Sequence, residues 1–148
     1  MPSTYLSLHY HLVFSTKQRA PFIQTEWRSR LHEYLVGTAR GLGGFPQGIG
    51  GTADHVHLLI GLKATHCLAE FMRELKKASS VWVHEEIGVR TFAWQEGYAA
   101  FTVGATARDA VKSYIANQEE HHRVKSFRDE LVAMLLKAGV DYDFKYFD

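Results

Sequence analysis

His55-Val56-His57 is the sharpest chemical feature of the chain. Side chains two apart on a strand point to the same face, so this spacing sets two imidazoles side by side. Two neutral imidazoles aimed at one point make half a metal site. The same pair also suits two rings that only pack or hydrogen-bond locally. Tyr114 and Gln118 are the second feature. Four residues apart on a helix, they share a face. A phenol oxygen can act as a nucleophile, and a carboxamide oxygen can be a third ligand to a metal held by two histidines. A tyrosine in an apolar stripe is also commonly core, with its hydroxyl tied off. Basic side chains come third. Lys17 and Arg19 sit in a loop after the first strand, and Arg73, Lys76 and Lys77 lie on the helix after His57. A solvated helix face is the plainer reading of the latter. Trp94, Gln95 and Tyr98 can stack on unpaired bases or belong to the core.

Spacing excludes several other chemistries. The glycine-rich run 41–51 lacks a Gly-Lys-Ser/Thr ending and does not lie between a strand and a helix in dinucleotide-binding order, so no nucleotide cofactor is expected. There is no His-Glu-x-x-His. His121 and His122 are adjacent on a helix and diverge by about a third of a turn, which makes them a poor joint ligand pair. The single cysteine, Cys67, excludes an internal disulfide framework and a Cys-rich zinc site.

The elements that must position these groups follow from period. Residues Leu6 to Ser15 alternate, with Leu6, Leu8, Tyr10, Leu12 and Phe14 on one side and Ser7, His9, His11 and Val13 on the other, which predicts a strand. Thr25 is expected to cap a helix with Trp27, Leu31, Tyr34, Leu35, Thr38 and Leu42 on its apolar side, ended by Gly41 and Gly43. Phe45–Gly51 reads as a short strand joined by a hairpin to His55–Leu62, the most apolar and most central strand. From Thr65 the period becomes helical through Leu68, Phe71, Met72, Leu75, Ser79, Trp82 and Val83, stopping at Gly88. Gly97–Val103 is a fourth strand. Thr106 and Asp109 resemble a capping box before a helix that carries Ala110, Val111, Tyr114, Ile115 and Gln118 on one side. Ser126 and Asp129 start a last helix, with Phe127, Leu131, Met134, Leu135 and Ala138 apolar and Gly139 at its end, before an aromatic, charged tail at 142–148. The first six elements match the split β-α-β, ferredoxin-like pattern: an α+β fold with a four-stranded antiparallel sheet, helices on one face and the other face available for a ligand, a partner subunit or the last helices.

Length and composition agree with one such domain over residues 1–148, its core at about 5–122 and a helical extension at 125–148. With 46% apolar and 22% charged residues the chain is globular, not disordered. No apolar run is long enough for a membrane helix, and the N-terminus lacks the features of a signal peptide, so a cytoplasmic protein is expected. The net charge of +1 does not announce a nucleic-acid binder, though residues 1–50 hold five basic groups against two acidic ones. Nine histidines are the one compositional hint of chemistry.

Five motifs occur in order: Tyr10-His11-Leu12-Val13-Phe14, Asp54-His55-Val56-His57-Leu58-Leu59, Leu75-Lys76-Lys77-Ala78-Ser79-Ser80, Trp94-Gln95-x-Gly97-Tyr98 and Tyr114-Ile115-x-x-Gln118. Together they resemble the single-tyrosine HUH transposases of small bacterial insertion sequences and their REP-associated relatives, over residues 10–118. The resemblance implies a strand-transfer enzyme acting on single-stranded DNA with hairpin ends. His55, His57 and Gln118 would hold Mg²⁺ or Mn²⁺, and Tyr114 would form a 5′-phosphotyrosine link. Imidazoles alone would equally suit Zn²⁺. Lys17, Arg19, Arg73, Lys76 and Lys77 are the candidates for phosphate contacts. The resemblance further implies a homodimer, joined at the edge strand 97–103, whose tyrosine helix acts in trans through a hinge at 104–106. The alternative is a ferredoxin-like nucleic-acid-binding domain without catalysis.

Overall fold

The computed structural model describes residues 3–143. Its strands are β1 (His9–Ser15), β2 (Phe45–Gly51), β3 (His55–Gly61) and β4 (Ala99–Val103). They form one sheet in the order β2-β3-β1-β4, and every neighbouring pair is antiparallel. This is the expected ferredoxin-like arrangement, with β1 and β3 central and β2 and β4 at the edges. Helices α1 (Thr25–Gly41) and α2 (Leu68–Trp82) connect it, and α3 (Arg108–Ala116), α4 (Gln118–His121) and α5 (Phe127–Ala138) follow. Among the described residues no helix is long and apolar enough to cross a membrane. Of the tail expected at 142–148, residues 144–148 lie outside the described residues.

Period decides what each sheet face carries. Leu12 and Phe14 of β1 and Val56, Leu58 and Ile60 of β3 point to one side, all at most 2% exposed. Trp27, Leu31, Leu35 and Ala39, four apart on α1, and Phe71, Met72 and Leu75 of α2 close over them to form the main core. The register pairs Val13 with His57 and His11 with Leu59, so His11, His55 and His57 share the opposite face. That face is covered by α3 to α5. Ile115 of α3 meets Leu59 and Val103 in a second, smaller core. Gly50, paired with His57 in the sheet, permits this close approach: a Cβ there would lie 2.0 Å from the Ile115 carbonyl oxygen.

Several boundaries differ from expectation. β1 starts at His9 and β4 at Ala99, because Leu6 is exposed and Gly97 takes a left-handed φ of +79°. The residue preceding α1 is Gln24, not Thr25, and α2 starts at Leu68, three residues after Thr65. The capping box at Thr106 does not form. A 3-10 turn at Ala105–Ala107 draws Thr106 away from the helix start, and Ala107 precedes α3 with no side-chain cap. Tyr114 and Gln118 lie on two short helices, α3 and α4, separated at Asn117. By contrast, Ser126 does cap α5, its hydroxyl accepting from the Asp129 amide at 3.1 Å, and Gly139 ends that helix at a φ of +70°.

Candidate metal centre and nucleophile

β3 delivers His55 and His57 to the covered face, both fully buried. Their outer nitrogens are engaged. Asp54 Oδ1 lies 2.8 Å from His55 Nδ1, and an ionised carboxylate only accepts, so Nδ1–H donates. Burial pushes the Asp54 carboxyl up, but the His55 hydrogen bond and charge outweigh it and hold it below its ordinary value. On the other ring, His57 Nδ1 is 2.6 Å from His11 Nε2. Burial lowers His57 to about 4 and His11 to about 3, so both are neutral near pH 7. Second-sphere contacts of this kind fix ring orientation in metal sites.

Gln118 reaches the pair from α4. Its Oε1 is 2.9 Å from His55 Nε2 and 3.0 Å from His122 Nε2. His122 Nδ1–H donates to the Lys125 carbonyl at 2.6 Å, which turns its Nε2 toward the cluster. Burial lowers the His122 pKa, against the opposing pull of the Glu130 carboxylate. From α5, the Glu130 carboxylate enters with Oε1 3.2 Å from His122 Nε2 and 3.7 Å from His55 Nε2. Burial raises Glu130, but hydrogen bonds from His57, Tyr114 and Gln118 prevail and hold it well below the usual carboxylate range.

The consequence is a cluster of nitrogen and oxygen ligand atoms facing one another. His55 Nε2, His122 Nε2, Gln118 Oε1 and Glu130 Oε1 face one small volume, and a divalent cation can take the place of the protons that join them. Ligand atoms of His55, His57, His122 and Glu130 all lie within 4.8 Å of one another. Three imidazoles, an amide oxygen and a carboxylate can hold a divalent ion.

Tyr114 stands beside this cluster. Its ring is 5.9 Å from that of His57 and 6.3 Å from that of His11, centroid to centroid. Its hydroxyl donates to Glu130 Oε2, and His121 Nε2 lies 3.4 Å away. Burial, reinforced by the Glu130 carboxylate, pushes the phenol well above its ordinary pKa.

All four residues expected at the centre thus meet within one chain. The basic candidates lie elsewhere. Lys17 is exposed and Arg19 half-buried in the turn after β1, at the end of the sheet where β3 begins, since Thr16 N–H donates to Asp54 O at 2.9 Å. Arg73 and Lys77 are exposed on α2, across the sheet from the histidines. Lys76 Nζ donates to the carbonyls of Gln95 at 2.5 Å and Gly97 at 2.7 Å, so it clamps the loop before β4. Trp94 donates to Ser79 Oγ at 2.9 Å and packs on Phe14, which makes it core.

Sequence reasoning missed His11, His122 and Glu130. Glu130 stood in the apolar stripe of α5, three residues after Phe127 and four before Met134, and a carboxylate in such a stripe is a readable signal. His121 and His122 do diverge as expected, yet His122 joins the ligand cluster while His121 faces the phenol.

The profile of the family described as "Transposase IS200 like" matches residues 4–118. Among solved structures, a protein from Deinococcus radiodurans R1 provisionally described as a transposase is 26% identical, covering 80% of this chain and 96% of its own, with a TM-score of 0.63. A REP-associated tyrosine transposase bound to a REP hairpin shares the fold at a TM-score of 0.54, with 14% identity over 78% of this chain and 70% of its own. No curated protein matches. The matched segment ends at Gln118, so His122 and Glu130 lie beyond it.

Proposed function

The chain belongs to the IS200-like transposase family and is a DNA transposase, and from this we propose that it nicks and rejoins single-stranded DNA beside a hairpin, with Tyr114 as nucleophile and Mg²⁺ or Mn²⁺ on His55, His57 and Gln118. The observation that most supports this is the convergence of two imidazoles from β3 and an amide oxygen from α4 next to a phenol. The DNA class is argued from the fold relative that holds a REP hairpin.

In this reading the Tyr114 oxygen attacks the phosphorus. The phenol O–P bond forms, the P–O3′ bond breaks, the phenol proton departs and the 3′ oxygen leaves as a hydroxyl. The 5′-phosphotyrosine retains the bond energy, so a later 3′ hydroxyl reverses the step without ATP. A divalent cation, when bound, polarises the phosphate and offsets its developing negative charge. Asp54 and His11 hold the two imidazoles with their Nε2 atoms toward the reacting region. Lys17, Arg19, Arg73 and Lys77 are the phosphate contacts in this proposal, and Lys76 shapes the loop between them.

Tyr114→Phe is the direct test. Cleavage should fall roughly 10⁴- to 10⁶-fold, and the covalent protein–DNA adduct should vanish from denaturing gels while DNA binding persists. Cleavage at the wild-type rate defeats the assignment. The resemblance implies a homodimer with tyrosine helices acting in trans, whereas the contacts within one chain support a cis site. An equimolar mixture of His55→Ala and Tyr114→Phe chains separates these. It stays inactive if Tyr114 serves its own histidines, and regains cleavage if helices are exchanged through 104–106.

A further inference from the structure

Four of the five donors at the centre are shut away from solvent: His55 and His57 are 0% exposed, and Gln118 and Glu130 are 1% exposed, while the His122 side chain is 10% exposed. A phosphodiester cannot reach a cation on these groups while α5 stays where it lies. The space it needs is filled by the Glu130 carboxylate. One oxygen accepts from His57 Nε2 at 2.9 Å; the other accepts from Gln118 Nε2 at 3.1 Å and from the Tyr114 hydroxyl. An anion whose two oxygens bridge the nucleophile and the metal-binding side chains stands where the two non-bridging oxygens of a phosphodiester would stand. A divalent ion of this class takes about six oxygen or nitrogen donors. With His122 and Glu130 added to His55, His57 and Gln118, the chain itself supplies five, which leaves too little room for a phosphate oxygen and a water.

Resting on the reading of Tyr114 and the histidines above, we propose that Glu130 occupies the seat of the scissile phosphate, and that α5 is a cover which the DNA strand displaces. The anchoring of α5 suits this. Besides Glu130 it buries only Phe127 and Leu135, against four apolar side chains on α1. The Phe127 ring lies on His55 with centroids 4.3 Å apart and planes 21° from parallel, so the same helix end shields the metal ligand. Leu136 and Val140 are exposed, and Val124 in the preceding turn is 89% exposed. A cleft of about 580 Å³ between α3 and α5 reaches Tyr114 and Glu130, with Lys125 and Lys137 among its lining residues. A backbone phosphate drawn to those lysines meets the Glu130 carboxylate next.

The experiment uses full-length Glu130→Ala, Glu130→Gln and Phe127→Ala chains, with hydrogen exchange of the DNA-free proteins and cleavage of a hairpin-bearing single strand from the flanks of the gene. The α5 amides should exchange at least tenfold faster in the variants while β1 and β3 amides keep wild-type protection. Cleavage at sub-saturating DNA should rise about tenfold. Slower cleavage by Glu130→Gln with β1 and β3 protection intact overturns the proposal, because the carboxylate would then be a working part of the centre. Unchanged α5 exchange in all three variants overturns it too. Full cleavage by Tyr114→Phe defeats the nucleophile assignment instead, and the exchange result then decides the cover by itself.

Discussion

Leu12 and His11 are neighbours on β1 and both are buried, yet they open onto different halves of the molecule. On Leu12's side, Phe14, Val56, Leu58 and Ile60 meet apolar side chains from α1, α2 and the segment carrying Phe92 and Trp94. Each such burial contributes about 1.5–3 kcal/mol from water exclusion, with no demand on direction. On His11's side the same strands offer His55 and His57 to Gln118, His122 and Glu130. Polar atoms there cost free energy unless each finds a partner, and here they find one another in a directional network. One face therefore stabilises the fold well enough for the other to hold a costly polar arrangement suited to a ligand.

The contrast can be broken. Leu58→Ala should destabilise the protein by about 2–5 kcal/mol in denaturant melts, while molecules that remain folded cleave at the wild-type rate. A loss as small as that of a surface substitution would mean the apolar face does not carry the fold. The histidine face should answer to cations instead. Mn²⁺ at one hundred times its dissociation constant should stabilise the wild type by about 2.7 kcal/mol, with EDTA reversing the effect. The His55→Ala chain should show no such shift in thermal melts, and an equal shift in it would move the cation away from this face. The smallest effect sharpens the comparison. His11→Gln should leave the melting temperature near that of the wild type and weaken Mn²⁺ binding 10- to 100-fold by titration calorimetry, as expected for a group that orients a ligand. Unchanged affinity would return His11 to the role of a packing residue.

Much of this division is legible in residue types and their periods. Alternation along β1 and β3 placed His11 and Val13 opposite Leu12 and Phe14, and it set His55 and His57 on one face, because side chains on a strand can only go up or down. Helical spacing grouped Trp27, Leu31 and Leu35, and it put Tyr114 and Gln118 on one side despite the break at Asn117. These are local rules, and a few neighbouring residues suffice to apply them. Three features escaped them. His11 meets His57 across 46 residues through the β1–β3 register, Glu130 meets His57 across 73, and His122 depends on where the chain turns after α4. Partners so far apart are chosen by how whole elements pack: Gly50 sets how near α3 approaches the sheet, and the turn after α4 sets where α5 lands. Local periodicity holds no information about either distance, so the carboxylate at the heart of the site is visible only once the chain is folded.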